Sequence, residues 1–127
     1  MASRFLTDLV VVHVSDDIKR LVYPLEYESA LLKRVIVVPV GFECNFASVP
    51  RVPFAYWLFG GVADKAATLH DYAYSGALGI SRKTADDLFS EAMRASGVGA
   101  IRRRFMYGAV RAFGGAFYRE PEESMAP

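Results

Sequence analysis

The hydrophobic period changes once along this chain, and that change dictates the fold class. The first forty residues are rich in β-branched types and contain no helical period. From Ala63 onward, apolar residues recur at the three- and four-residue intervals of a helix face. Phe5–Val14, Ile18–Tyr27 and Arg34–Val40 read as strands, with a turn at Ser15-Asp16-Asp17 and an edge or bulge at Pro24. Their short connections predict an antiparallel meander. Gly41–Phe54 reads as an ordered loop, and the aromatic Ala55–Phe59 as a short helical turn packed on the sheet.

Three helices follow. Ala63–Tyr74 is the first, and Arg82–Ser96 the second, with Ser81 as its N-cap and Gly97 and Gly99 beyond its end. Ala85, Phe89, Ala92 and Met93 form the second helix's expected buried face. Ala100–Tyr118 is the third, with Phe105, Ala109, Val110, Phe113 and Phe117 expected inward and Gly114-Gly115 weakening its last turns. The expected architecture is α+β: an N-terminal antiparallel β-meander followed by three packed C-terminal helices. A single globular domain over residues 1–118 carries a flexible tail over 119–127.

A chain of 127 residues can bury a core without metal or disulfide staples. A net charge of +1 gives no global electrostatic case for a nucleic-acid partner or an anionic membrane. One cysteine, Cys44, excludes an internal disulfide framework and reads as a small buried hydrophobe. The apolar run Leu9–Val12 is too short for a membrane span or a signal peptide, so synthesis in the cytoplasm is expected.

The chemistry gathers around His70. At about 100° per residue, Ala63, Ala66, Ala67, Ala73 and Tyr74 fall within roughly 60° of it, so the imidazole lies in the apolar stripe. A histidine aimed into a core needs partners for its ring nitrogens. On the second helix Asp87 points to water, whereas Asp86 lies at the edge of the buried stripe and can reach His70. Such a carboxylate fixes the tautomer and leaves the other nitrogen as a base. The competing arrangement pairs Asp86 with Arg82, one turn away.

Asp71 can flank the same cavity as a metal or positioning ligand, and the Tyr74 hydroxyl can join the network. His70-Asp71-Tyr72-Ala73-Tyr74 is similar to the His-Asp-x-x-Tyr helix of secreted phospholipases, without their disulfides or calcium loop. Ser48 is a candidate nucleophile, but no Gly-x-Ser-x-Gly elbow surrounds it, and loop ordering is the stronger reading. His13 has no partner motif. The sequence assigns no cofactor and leaves metal binding by His70, Asp71 and Asp86 open. Arg104 and Arg111 read as solvent-facing, and Arg102, leaning inward, as a candidate counter-ion for Asp86 or Asp71.

Four segments in order carry a resemblance. They are Phe46-Ala47-Ser48-Val49-Pro50-Arg51, Leu69–Tyr74, Arg82-Lys83-Thr84-Ala85-Asp86-Asp87-Leu88-Phe89, and Ala92-Met93. Together the chain resembles, over residues 4–118, the bacteriophage and prophage family called domain of unknown function 1353. The resemblance implies a small phage protein encoded among late and structural genes, with Ser48, His70, Asp71, Tyr74, Arg82 and Asp86 as its polar positions. Where that family usually has Thr-Asp before Phe-Ala-Ser-Val-Pro, this chain has Cys44-Asn45, one charge fewer. The expected function is therefore an accessory or structural virion component near the tail or neck, partnered by other phage structural proteins. Its His-Asp network is then a vestigial site. The alternative is a hydrolase acting on lipid or peptidoglycan of the host envelope, with His70 as base and Asp86 or Asp71 as its partner.

Overall fold

Pro24 decides how the N-terminal half is divided. It has no N–H for a ladder, and the second apolar run breaks there into β3 (Lys19–Leu21) and β4 (Leu25–Ser29). The first run breaks likewise into β1 (Arg4–Phe5) and β2 (Val11–His13). At the break, Thr7 Oγ1 donates to the Pro24 carbonyl at 3.2 Å and accepts the Glu26 N–H at 2.8 Å, replacing ladder bonds. With β5 (Arg34–Val38) and β6 (Glu43–Cys44), the expected meander becomes two antiparallel sheets, ordered β1-β4-β5 and β2-β3-β6. The computed structural model describes residues 2–16, 18–44 and 64–121. Glu43 and Cys44, read as the start of a loop, are thus a short strand on β3; the rest of that loop and the Ala55–Phe59 turn lie outside the described residues.

The period of two works as expected in β4 and β5. Leu25, Tyr27 and Ser29 point inward, opposite Val38, Ile36 and Arg34, while Val35 and Val37 face water. Tyr27, Ile36, Leu25 and Val38 form the floor on which the helices pack.

Helix α1 (Asp64–Tyr74) buries Ala66, Ala67, Leu69, His70, Ala73 and Tyr74. Helix α2 (Arg82–Ala95) begins at Ser81, whose hydroxyl accepts the Thr84 N–H at 3.1 Å as an N-cap should. It lies between α1 and α3 (Ala100–Phe113) and also touches β1 and β4. Phe89, fully buried at its centre, contributes about 1.5–3 kcal/mol of hydrophobic stabilisation. Glu91 fastens α2 to the sheet: its carboxylate accepts from Tyr27 Oη at 2.8 Å, Ser29 Oγ at 2.9 Å and the Leu31 N–H at 2.8 Å.

The third helix departs from its sequence reading in two ways. It ends at Phe113, and a 3-10 turn covers Gly114–Ala116. Its core side carries Met106 and Val110, whereas Phe105, Phe113 and Phe117, expected inward, are 54%, 62% and 49% exposed. The helix is rotated because Arg103, Tyr107 and Arg111 all find partners on the inner side, on Val98, Asp87 and Asp86. Arg119, placed in the tail by sequence, donates its N–H to the Tyr74 carbonyl at 2.8 Å.

Candidate functional site

The second turn of α2 and the C-terminal turn of α1 face each other across the core. The short connector over residues 75–81 makes the two helices neighbours and brings His70 to the height of Asp86. His70 Nε2 lies 2.8 Å from Asp86 Oδ1, with the two side chains 1% and 0% exposed. The ring packs at a tilt against Tyr74 and Phe89, at centroid distances of 4.1 and 4.6 Å.

Two further donors complete the carboxylate. Tyr74 Oη donates to the same Oδ1 at 2.6 Å, and Arg111 Nη1 to Oδ2 at 2.7 Å. Arg111 is thus the counter-ion of Asp86, a role for which the sequence offers Arg102 as a candidate. The sequence hides it because the apolar stripe of α3 reads as its core side, which puts Arg111 in water. The competing Arg82–Asp86 pairing does not form; Arg82 reaches Tyr74 instead.

Arg82 serves the cluster at one remove. Its Nε donates to Tyr74 Oη at 3.3 Å, and its Nη2 donates to the Val110 and Arg111 carbonyls at 2.8 and 2.7 Å. Those carbonyls belong to the last turn of α3, where a guanidinium satisfies open acceptors and complements the negative end of the helix dipole. The bend at Gly114 is fitted to Tyr74: a Cβ there would stand 2.7 Å from the phenolic oxygen. Tyr118 packs edge-on against Tyr74 at 5.5 Å and donates to the Ile80 carbonyl at 2.6 Å.

Electrostatics sets the protonation states. Burial holds His70 below its ordinary value of 6.5, and the Asp86 charge only partly opposes it, so the ring is neutral at neutral pH. Burial pushes Asp86 the other way, but the bonds from His70, Tyr74 and Arg111 together outweigh it and hold the carboxyl below its ordinary 3.8. A neutral imidazole beside a carboxylate that only accepts must carry its proton on Nε2. Tyr74 is held protonated well above its ordinary value, mainly by burial and then by its bond to Asp86.

Of the other candidates, Asp71 is half-buried on α1, and its charge adds to burial in pushing the Cys44 thiol up. Cys44 is buried as expected, with Sγ 3.6 Å from the Lys19 carbonyl. His13 is exposed on β2. Ser48 lies outside the described residues. A cavity of about 510 Å³ is lined by Gly79, Arg82, Tyr118 and Pro121, and one of about 430 Å³ by Thr7, Tyr23, Pro24 and Glu26. Neither takes in His70 or Asp86. Among the described residues, no group of three or more His, Cys, Asp or Glu side chains is placed to hold a metal ion. No helix among them is long and apolar enough to cross a membrane.

These features define a small α+β protein whose central polar residues form a His-Asp-Tyr-Arg cluster closed inside three helices. The chain belongs to the family described as "Protein of unknown function (DUF1353)", whose model matches residues 19–110. No curated protein and no solved structure matches it.

Proposed function

We propose that this chain is a small accessory or structural component of a bacteriophage particle, associated with the tail or neck. It is made in the host cytoplasm and carried into the virion. The observation behind this reading is that both oxygens of Asp86 are occupied by the chain's own donors, in a space that is 0% exposed. Such a cluster acts as an internal cross-link between helices rather than as a reagent. The surface adds support. Among the described residues, large hydrophobic side chains such as Val37, Val40 and Ile101 are exposed, which suits a protein covered by neighbours. The phage context comes from the resemblance of the motifs. Mass spectrometry of purified particles tests the reading: a stoichiometric peptide signal is expected, and a chain present in infected cells but missing from particles rejects it.

One observation favours the envelope hydrolase as a second reading. A neutral imidazole oriented by a carboxylate on one ring nitrogen is the arrangement of a general base. Catalysis would require a route for substrate to a ring that is 1% exposed. Assays on phospholipid and peptidoglycan with the parent and His70→Gln decide it. Turnover lost in a folded His70→Gln would establish hydrolysis, and absence of turnover in the parent removes it.

A further inference from the structure

Strand β5 is the long edge of its sheet. In the order β1-β4-β5 it has one neighbour, and among the described residues no strand lies beyond it. The other edge strands, β1, β2 and β6, are two or three residues long, whereas β5 has five. Edge strands are ordinarily blunted by lysine, proline or a bulge. The run Val35-Ile36-Val37-Val38 contains none of these.

Alternation along the ladder fixes which backbone groups face outward. On β4, Glu26 turns to β1: its carbonyl accepts the Leu6 N–H and its own N–H donates to Thr7 Oγ1, both at 2.8 Å. Antiparallel strands bond through alternate residues. Leu25, Tyr27 and Ser29 therefore bond to β5, through their partners Val38, Ile36 and Arg34. The N–H and C=O groups of Val35 and Val37 are left pointing out of the sheet edge. The two side chains lie on the outward face, 46% and 47% exposed.

A second copy of β5, antiparallel and centred on Ile36, fits this edge. The two-fold axis sets Val35 of each copy opposite Val37 of the other. Each such pair exchanges both N–H···O=C bonds, which meets every outward donor and acceptor of the two residues. The same pairs set valine against valine on the outward face, a branched side chain that packs well on a pleated surface. The ends agree as well. Pro39, which has no N–H to give, falls opposite Lys33, whose φ of 56° takes it out of the strand. A slip of two residues would set Val35 against Pro39 or Val37 against Lys33, and bonds would be lost.

Charge selects the antiparallel arrangement. Parallel pairing would lay Lys33 and Arg34 of the two copies side by side, about 5 Å apart. Antiparallel pairing holds the two Arg34 residues about 14 Å apart along the strands, beyond the screening length of about 8–10 Å. We propose that the outer edge of β5 is the docking surface for a second copy of this chain, the two forming one continuous sheet in the order β1-β4-β5-β5-β4-β1. The contact is isologous and closes on itself, so it yields a dimer and not a fibre. It does not depend on where the protein is used.

The test is the oligomeric state of the full chain. Sedimentation should show a dimer that dissociates on dilution, with the Val35 and Val37 amides protected from exchange only while it lasts. Val37→Pro removes an outward N–H and no bond to β4. It should weaken dimerisation by about tenfold or more and keep the circular dichroism of the fold. Val35→Lys combined with Val37→Lys sets like charges opposite each other across the axis and should give a folded monomer. Val35→Lys combined with Val37→Glu sets unlike charges opposite each other in this register and should restore the dimer. These paired changes, confined to exposed side chains, decide the matter if the proline unfolds the chain. A parent still monomeric at about 1 mM overturns the proposal. So does a dimer indifferent to the two lysines, or a Lys-Glu combination as monomeric as the Lys-Lys one.

Discussion

Replacing Asp86 by asparagine keeps its shape and removes its charge, at the point where three helices meet. Three donors converge on the carboxylate: His70 at 2.8 Å and Tyr74 at 2.6 Å on Oδ1, and Arg111 at 2.7 Å on Oδ2. An amide offers one accepting oxygen and one NH2 in their place. Turned with its oxygen toward His70 and Tyr74, it presents NH2 to the guanidinium. Turned the other way, it presents NH2 to His70 and Tyr74. Either orientation loses a bond to a charged group, worth about 1.5–3 kcal/mol, and leaves a buried donor unmet, at about 1–3 kcal/mol. The expected loss is about 3–5 kcal/mol, a large share of the roughly 5–15 kcal/mol that holds a domain together. It falls toward the lower end because the Arg111 side chain, 36% exposed, can turn to water. Urea unfolding followed by circular dichroism measures it, with an unchanged m-value. The double variant Asp86→Asn/Arg111→Met should lose less than the sum of the single losses. The His70 titration should move further down, since the neighbouring charge that raises it is gone. An Asp86→Asn protein within about 1 kcal/mol of the parent, or a strictly additive cycle, would refute this account of the cluster.

Acid should destabilise the fold in two stages. His70 is depressed below 6.5, so the unfolded chain takes up its proton first, and stability is lost as pH falls from 6.5 toward the folded value. Asp86 contributes stability that is intact above 3.8 and lost as pH falls through its lower folded value. Urea titrations at a series of pH values should show the decline, and a gain in stability on acidification below 6.5 would contradict it. Gly114→Ala should cost about 1–3 kcal/mol by pressing a methyl into the Tyr74 hydroxyl, 2.7 Å away; an unshifted melting temperature and near-ultraviolet spectrum would count against that fit. Glu91→Ala leaves Tyr27, Ser29 and the Leu31 amide without their acceptor. Exchange of the Leu31 amide should then quicken, and unchanged protection would mean that the clamp carries no load.

The sequence by itself determined the class and the central pair. The switch from a β-branched segment to helical spacing can be satisfied only by strands followed by helices, and the structure has that order. His70 was legible because a polar ring amid alanines must find a partner, and Asp86 because Asp87 points the other way. The division into two sheets was half legible: Pro24 announced a break, but not that Thr7 would bridge it. Tertiary structure alone decided the rest. Arg111 reaches Asp86 across 25 positions, and Glu91 reaches Tyr27 across 64, distances over which local periodicity carries no information. The orientation of α3 was equally hidden. A hydrophobic pattern reports which side of a helix avoids water. It does not report whether the chain's own core or another molecule will cover that side. On α3 the bonds from Arg103, Tyr107 and Arg111 turned Met106 and Val110 inward and left Ile101 exposed.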